Sequence, residues 1–360
     1  MKQPQQAKIA PFQLTHTPQV PEILHRLGCS ILLSTFQAGK LIAISPKDEN
    51  SMVQLARNFT RPMGITFSDA YQKMALASFN EVLQFRNTPR LAASYPNKPN
   101  VYDSLYIPTQ TNYTGRLDLH DLSYGENDQL FAVNTLFSCI CTFDTNYNFI
   151  PYWQPDFITE LQPEDRCHLN GMALKDGKPK YATAFATTNS RFAWKENLTQ
   201  TGVLIDIETN EIILEGLGMP HTPRIINGEL YVLLSATGQL IKVDIQNKSY
   251  TVITELNGFV RGMSFYEDYL FIGMNKLRQN SSSFAHLDVA KLSNFAGIKI
   301  VHLPSGSLQG ILQYQSSVDE IYDVEVLPDV FRPNILNNST ELFTQAINTE
   351  EMSFWQRNEP

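Results

Sequence analysis

Ser30-Ile-Leu-Leu-Ser-Thr-Phe-Gln-Ala-Gly-Lys-Leu-Ile-Ala-Ile reads as a strand, a turn holding Gly39, and a second strand. Far along the chain, Leu230-Tyr-Val-Leu-Leu-Ser-Ala-Thr-Gly-Gln-Leu-Ile-Lys-Val-Asp reads the same way. Period-two alternation around a glycine-bearing turn is what a hairpin requires. A second element recurs ahead of such hairpins, a short strand opened by a small or polar residue. Its copies are Met63-Gly-Ile-Thr-Phe, His120-Asp-Leu-Ser-Tyr, Asn170-Gly-Met-Ala-Leu, Pro223-Arg-Ile-Ile-Asn, Arg261-Gly-Met-Ser-Phe and Gln309-Gly-Ile-Leu-Gln. Taking Gly64, Asp121, Gly171, Pro223, Gly262 and Gly310 as anchors, the spacings are 57, 50, 52, 39 and 48 residues. Four-stranded propeller blades repeat at roughly 40 to 50 residues. Glycine at the second position suits innermost strands, whose backbones crowd around an axis.

The expected fold is therefore all-β, a six-bladed β-propeller over residues 29–330. The sixth unit, started at Gln309, runs out of chain after residues 321–327. The N-terminal strands at 30–36, 40–45 and 52–56 complete that last blade, and closure removes open sheet edges. Residues 1–28 form an N-terminal segment with a short helix at 21–27, where Pro21 opens and Gly28 follows. Residues 331–360 read as a polar C-terminal tail with a short helix near 341–347. The Pro- and Asn-rich stretch 87–113 reads as a long loop.

Composition narrows the function classes. The chain has 360 residues, 42% hydrophobic and only 18% charged, with 21 Phe and 15 Tyr, a balance that suits strands. A net charge of -8 repels phosphate backbones, so nucleic acid is not an expected partner. No run approaches the roughly 18 apolar residues of a membrane span. The polar start lacks the apolar region of a secretory signal, and a cytoplasmic location is the expectation. Cys29, Cys139, Cys141 and Cys167 match no zinc spacing and read as buried free thiols.

In a propeller, the loops leading into the inner strands meet near the axis on one face. Those loops carry Arg61 in unit one, His120 and Asp121 in unit two, and Arg166, Cys167, His168 and Asn170 in unit three. They carry His221 and Arg224 in unit four, Arg261 in unit five and Gln309 in unit six. Three of the seven histidines fall in these short windows. One reading is a divalent transition-metal site with His120, His168 and His221 as ligands and catalytic groups, and Asp121, Asn170 or Gln309 completing the shell. Arg61, Arg224 and Arg261 would then clamp a carboxylate or phosphate. The other reading is a polar pocket without metal, its His, Asn and Arg side chains satisfying strand ends. Loops between second and third strands add Asn80, Asn134, Asn189, Asn275 and Lys276; turn chemistry explains most of these. Asn275 and Lys276 join the substrate-binding set, since a lysine there can reach an anion.

The segments His120-Asp-Leu, Arg166-Cys-His-Leu-Asn-Gly-Met-Ala, Met219-Pro-His-Thr-Pro-Arg, Phe259-Val-Arg-Gly-Met-Ser-Phe and Ser34-Thr-Phe-Gln-Ala-Gly-Lys resemble a bacterial family of conserved hypothetical proteins, over roughly residues 15–330. That resemblance implies the blades and no particular activity. A remoter, architectural likeness is to six-bladed propellers of the gluconolactonase and strictosidine-synthase type. Their calcium shells are acidic, whereas the positions here are rich in His and Arg. The functional expectation is a small anionic molecule or peptide bound at the channel mouth. If catalytic, the protein would be a metal-assisted lyase, hydrolase or isomerase of a carboxylate-bearing substrate. The alternative is a non-catalytic propeller module for protein–protein interaction.

Overall fold

The computed structural model describes residues 10–277, 284 and 286–356. Residues 1–9 and 357–360, the ends of the two flanking segments, lie outside the described residues. Six sheets, each built on four antiparallel strands, are arranged as the blades of a propeller, each with its first strand innermost. The inner strands are Ile65–Phe67, Leu119–Tyr124, Leu169–Lys175, Pro220–Ile226, Phe259–Tyr266 and Asp323–Pro328, in blades one to six. Blade six joins both ends of the chain: Asp323–Pro328 pairs with Cys29–Thr35, which is followed by Lys40–Pro46 and Met52–Asn58. The N-terminal strands thus close the ring, as the sequence predicts.

Core lies between neighbouring sheets, so each sheet buries both faces. Ile31, Leu33, Ile42 and Ile44 pack toward blade five, against Phe271, Ile298 and Ile300. Leu32, Leu41 and Ala43, pointing the other way, pack toward blade one against Met74, Leu76 and Phe85. This two-sided burial explains why strand Cys29–Thr35 is apolar or small throughout. All four cysteines are free and buried within this core.

The inner strands are fastened to one another in a two-blade rhythm. A Cβ on Gly64 would stand 3.1 Å from the Asp121 backbone, on Gly171 2.5 Å from Pro223, and on Gly262 2.8 Å from Asp323. Glycine therefore lets blades one and two, three and four, and five and six approach closely. The alternate junctions use side chains. Asp121 accepts from the Met172 N–H at 3.1 Å, Thr222 from the Gly262 N–H at 3.2 Å, and Asp323 from the Ile65 N–H at 2.9 Å. At the same junctions Ser34, Thr135 and Ser235 donate hydroxyl hydrogen bonds to the carbonyls of Met63, Leu169 and Val260.

Three sequence expectations change here. Gln309 does not start the sixth blade; it lies in Ser307–Tyr314, the fourth strand of blade five, beside the added strand Leu14–His16. Gly310 imitates an inner-strand glycine for another reason, because a Cβ there would meet Val20 of helix Gln19–Leu27 at 2.8 Å. The stretch 87–113 is not one loop. Its second half, Ser104–Tyr113, is the fourth strand of blade one, with Pro108 placed beside a register shift. Finally, the polar tail is structured: Pro333–Ile335 pairs in parallel with Ser104–Tyr113, and Ala346–Asn348 forms a hairpin with Ser353–Trp355. Trp355 donates to the Leu91 carbonyl at 3.2 Å and packs edge-on against Tyr95.

Candidate functional site

The leading ends of the inner strands form a wreath of side chains at one mouth of the channel. Its positions match from blade to blade. His120, His221 and Tyr322 immediately precede the fastening residues Asp121, Thr222 and Asp323 of blades two, four and six. Met63, Asn170 and Arg261 immediately precede the close-packed glycines of blades one, three and five. Bulges near the upper ends of the inner strands of blades three, four and five, with positive φ at His168, Thr222 and Gly262, interrupt pairing and re-aim these side chains.

The rings form a continuous arc. Tyr322 meets His120 edge-on at 5.6 Å, and His120 meets His168 edge-on at 4.9 Å. His168 lies against Trp194 at 4.2 Å and Phe185 at 4.4 Å. Phe185 then meets His221 at 5.0 Å, and His221 meets Phe259 at 6.1 Å. Arg261 closes the arc by lying over the Tyr322 ring at 3.5 Å, with Glu320 as a distant ionic partner at 3.7 Å. On the blade-one side, exposed Arg61 stacks over Phe79 at 4.8 Å and Phe36 at 5.6 Å.

Each histidine is held by Nδ1. His120 Nδ1 faces the Asp118 carbonyl at 2.9 Å, and His168 Nδ1 faces the Asp165 carboxylate at 3.0 Å. His221 Nδ1 faces the Met219 carbonyl at 3.1 Å and the Ser235 hydroxyl at 2.6 Å. These acceptors take a proton on Nδ1, so that a ring in its neutral form carries its lone pair on Nε2. Burial, reinforced by the Arg261 charge, holds the imidazoles of His120 and His221 well below the usual histidine range. His168 with Asp165 behind it has the arrangement of an oriented general base. Burial pushes the Glu320 carboxyl up, with Arg261 pulling the other way.

The family profile described as Domain of unknown function (DUF4915) matches residues 18–336. The chain belongs to that family. No curated protein matches it closely enough to supply a relative. Among solved structures, a chain titled "Crystal structure of Nidogen/Laminin Complex" matches with a TM-score of 0.51 and 11% identity, covering 84% of this chain and 99% of that one. At that identity the likeness concerns the fold alone.

In this DUF4915 chain the residues expected from sequence divide into three groups. His120, His168, His221, Arg261 and Arg61 reach the mouth. Asp121 and Arg224 lie further along the inner strands, paired with each other. Arg224 spans from blade four to blade two, its Nη1 at 3.0 Å and Nη2 at 3.2 Å from the Asp121 carboxylate, and it also donates to the Met172 carbonyl at 3.1 Å. With the Met172 N–H also bound, the Asp121 carboxylate is fully occupied and serves to fasten strands. Asn275 likewise accepts from the Ile321 N–H at 2.6 Å, and Asn170 accepts from the Thr183 hydroxyl at 2.7 Å. Lys276 is exposed, and Gln309 is exposed on the outside of blade five, away from the mouth.

Among the described residues, no three His, Cys, Asp or Glu side chains are grouped to hold a metal ion. Phe185, between His168 and His221, accounts for the separation. Sequence reasoning missed Tyr322, Phe185, Trp194 and Asp165. Tyr322 had a readable signal, since it stands 101 residues after His221, which itself stands 101 after His120. The described clefts of 580 to 700 Å³ lie elsewhere, around Lys175 and Asp176 and beside the third and fourth blades. Lysines and carboxylates line two of them, and Glu126, Asp128 and Asp176 line the third. Among the described residues, no helix is long and apolar enough to cross a membrane.

Proposed function

We propose that the mouth binds a carboxylate, borne by a small molecule or a peptide, with Arg261 as its anchor. The observation that carries this reading is a contrast among three buried or half-buried arginines. Arg166 is saturated by Glu164 at 2.8 Å, Asn189 at 2.9 Å and Glu160 at 3.1 Å. Arg224 is saturated by Asp121 and Met172. Arg261, its side chain only 14% exposed, donates no hydrogen bond among the described residues and reaches Glu320 only at 3.7 Å. A guanidinium with an unused fork, flat on a tyrosine face, is prepared for a two-oxygen acceptor. One cation beside Glu320 suits a monoanionic carboxylate better than a phosphate dianion.

Calorimetric titration of carboxylates into wild type and Arg261→Gln tests the proposal. A charged hydrogen-bonding pair contributes about 1.5–3 kcal/mol, so the variant should bind roughly 10- to 100-fold more weakly. Arg61→Gln, at the exposed rim, should change affinity by less than about threefold. Absence of binding by wild type, or an unaltered affinity in Arg261→Gln, would overturn the reading. The same preparations are assayed for metal. Near-stoichiometric transition metal that disappears in a folded His120→Ala/His168→Ala/His221→Ala variant would make the site metal-assisted.

A second reading is favoured by an exposed aromatic patch on the rim of blades one and two. Tyr113 and Tyr147 are each 72% exposed, and Asn148 ties the two segments by donating to the Tyr113 carbonyl at 2.7 Å. Such a patch suits a protein contact. A Tyr113→Ser/Tyr147→Ser variant that leaves carboxylate binding intact but abolishes association measured by sedimentation would separate the two readings.

A further inference from the structure

The mouth holds acceptors that a bare carboxylate would leave without partners. His120, His168 and His221 each spend Nδ1 on the protein, so each neutral ring presents the lone pair of Nε2, and among the described residues none of the three Nε2 atoms makes a hydrogen bond. Among the described residues, the polar side-chain atoms that are both sealed and unpartnered are Asn134 Nδ2, Asn170 Nδ2, Trp194 Nε1, Tyr322 Oη and Asn334 Nδ2. Of the three rings, those of His120 and His168 are half-buried and that of His221 is buried. Three acceptors without a partner among the described residues therefore follow the arc from blade two to blade four, beginning beside the Arg261–Tyr322 stack. Covering them with methylene groups would cost the desolvation of each nitrogen. An ammonium donor is disfavoured by the neighbouring Arg261 charge, with Asp165 already committed to His168 and Glu320 beside Arg261. Hydroxyl groups are uncharged, donate to Nε2, and leave C–H faces for the rings of Phe185 and Tyr322.

We infer that the ligand of this mouth is a hydroxylated carboxylate, its carboxylate at Arg261 and its hydroxyls donated to Nε2 of His120, His168 and His221. The inference rests on the carboxylate reading and adds the second half of the ligand. Phe185 packs against both His168 and His221, so the acceptors are spaced along the arc, which suits several hydroxyls spread along a chain or ring.

The test is titration of matched acids into chelator-treated protein: glycerate against propionate, tartrate against succinate, quinate against cyclohexanecarboxylate, with glycerol as the hydroxyl-only probe. At least one hydroxylated acid should bind about tenfold or more tightly than its partner, the scale of one or two hydrogen bonds. His120→Phe and His168→Phe keep a ring but remove the acceptor. Each should reduce that preference, whereas Arg261→Gln should weaken both members of a pair. Equal affinities within every pair would overturn the hydroxyl inference and leave the carboxylate reading standing. No binding by any acid would overturn both. A preference that survives both Phe substitutions would also sink the inference. The wild-type comparison decides the point even if a variant fails to fold.

Discussion

Glu325 and Asp323 share the channel wall with a single guanidinium, that of Arg224, which already faces Asp121. Burial raises both carboxyls toward neutrality, with Asp121 adding to the shift of Asp323 and Asp323 to that of Glu325, while Arg224 opposes both. Two backbone N–H groups, of Ile65 and Val324, point at Asp323 at 2.9 Å, whereas Glu325 receives only the Ser264 hydroxyl at 3.2 Å. Glu325 is therefore the carboxyl that keeps the proton. A raised acid stabilises the fold fully below its unfolded value, near 4.5, and loses that contribution as pH rises through about 8. Unfolding free energy should fall across that window in wild type, and Glu325→Gln should flatten the fall; urea titrations at pH 5, 6.5 and 8 would read it. An identical slope in the variant would assign the pH dependence to other groups. Burial likewise pushes the thiols of Cys29, Cys139 and Cys167 up to about 12. A thiol reagent at pH 8 should label none of the cysteines in native protein and all four after denaturation.

Gly171 touches blade four so closely that an added Cβ would stand 2.5 Å from Pro223 and 2.9 Å from the Thr183 hydroxyl. Gly171→Ala should cost about 1–3 kcal/mol by overpacking, measured by denaturant unfolding. Gly115 and Gly228, with nothing near the added atom, carry only the positive-φ strain of about 1 kcal/mol. Arg224→Met should cost roughly 3 kcal/mol or more, because it leaves the buried Asp121 carboxylate without its cation. The glycine signal was legible in the sequence but ambiguous as to cause. Gly64, Gly171 and Gly262 make room for the next inner strand, while Gly310 makes room for Val20 on a helix. That ambiguity moved the expected start of blade six from Tyr322-Asp323 to Gln309-Gly310, and with it the mouth residue of that blade.

Across the whole molecule the fastening runs with a period of two blades. His120, His221 and Tyr322 follow at successive steps of 101 residues, as do Asp121, Thr222 and Asp323. Backbone close approach at one junction alternates with side-chain hydrogen bonds at the next, so the ring is built as three blade pairs. The chain ends differ in what they contribute. Strand Cys29–Thr35 is wholly buried and closes the ring, whereas the hairpin Ala346–Trp355 lies on the outside of blade one. Removal of residues 340–360 should therefore leave a cooperative, folded propeller, with a melting temperature lowered by only a few degrees. Loss of the cooperative transition would show that the hairpin belongs to the core of blade one.

Six blades and N-terminal closure were determined by the sequence alone, because period-two burial and hairpin turns are local signals that a single chain repeats in view. The histidines and arginines at the blade starts were legible for the same reason. Which of them face a ligand was decided only by the tertiary structure. Asp121 and Arg224 were drawn into one buried pair across three blades, Phe185 was placed between two histidines, and Arg261 was left largely buried with an open fork. Such occupancy depends on distances between residues some hundred positions apart. Those distances are set by how closely inner strands pack at glycines, not by any pattern within one strand.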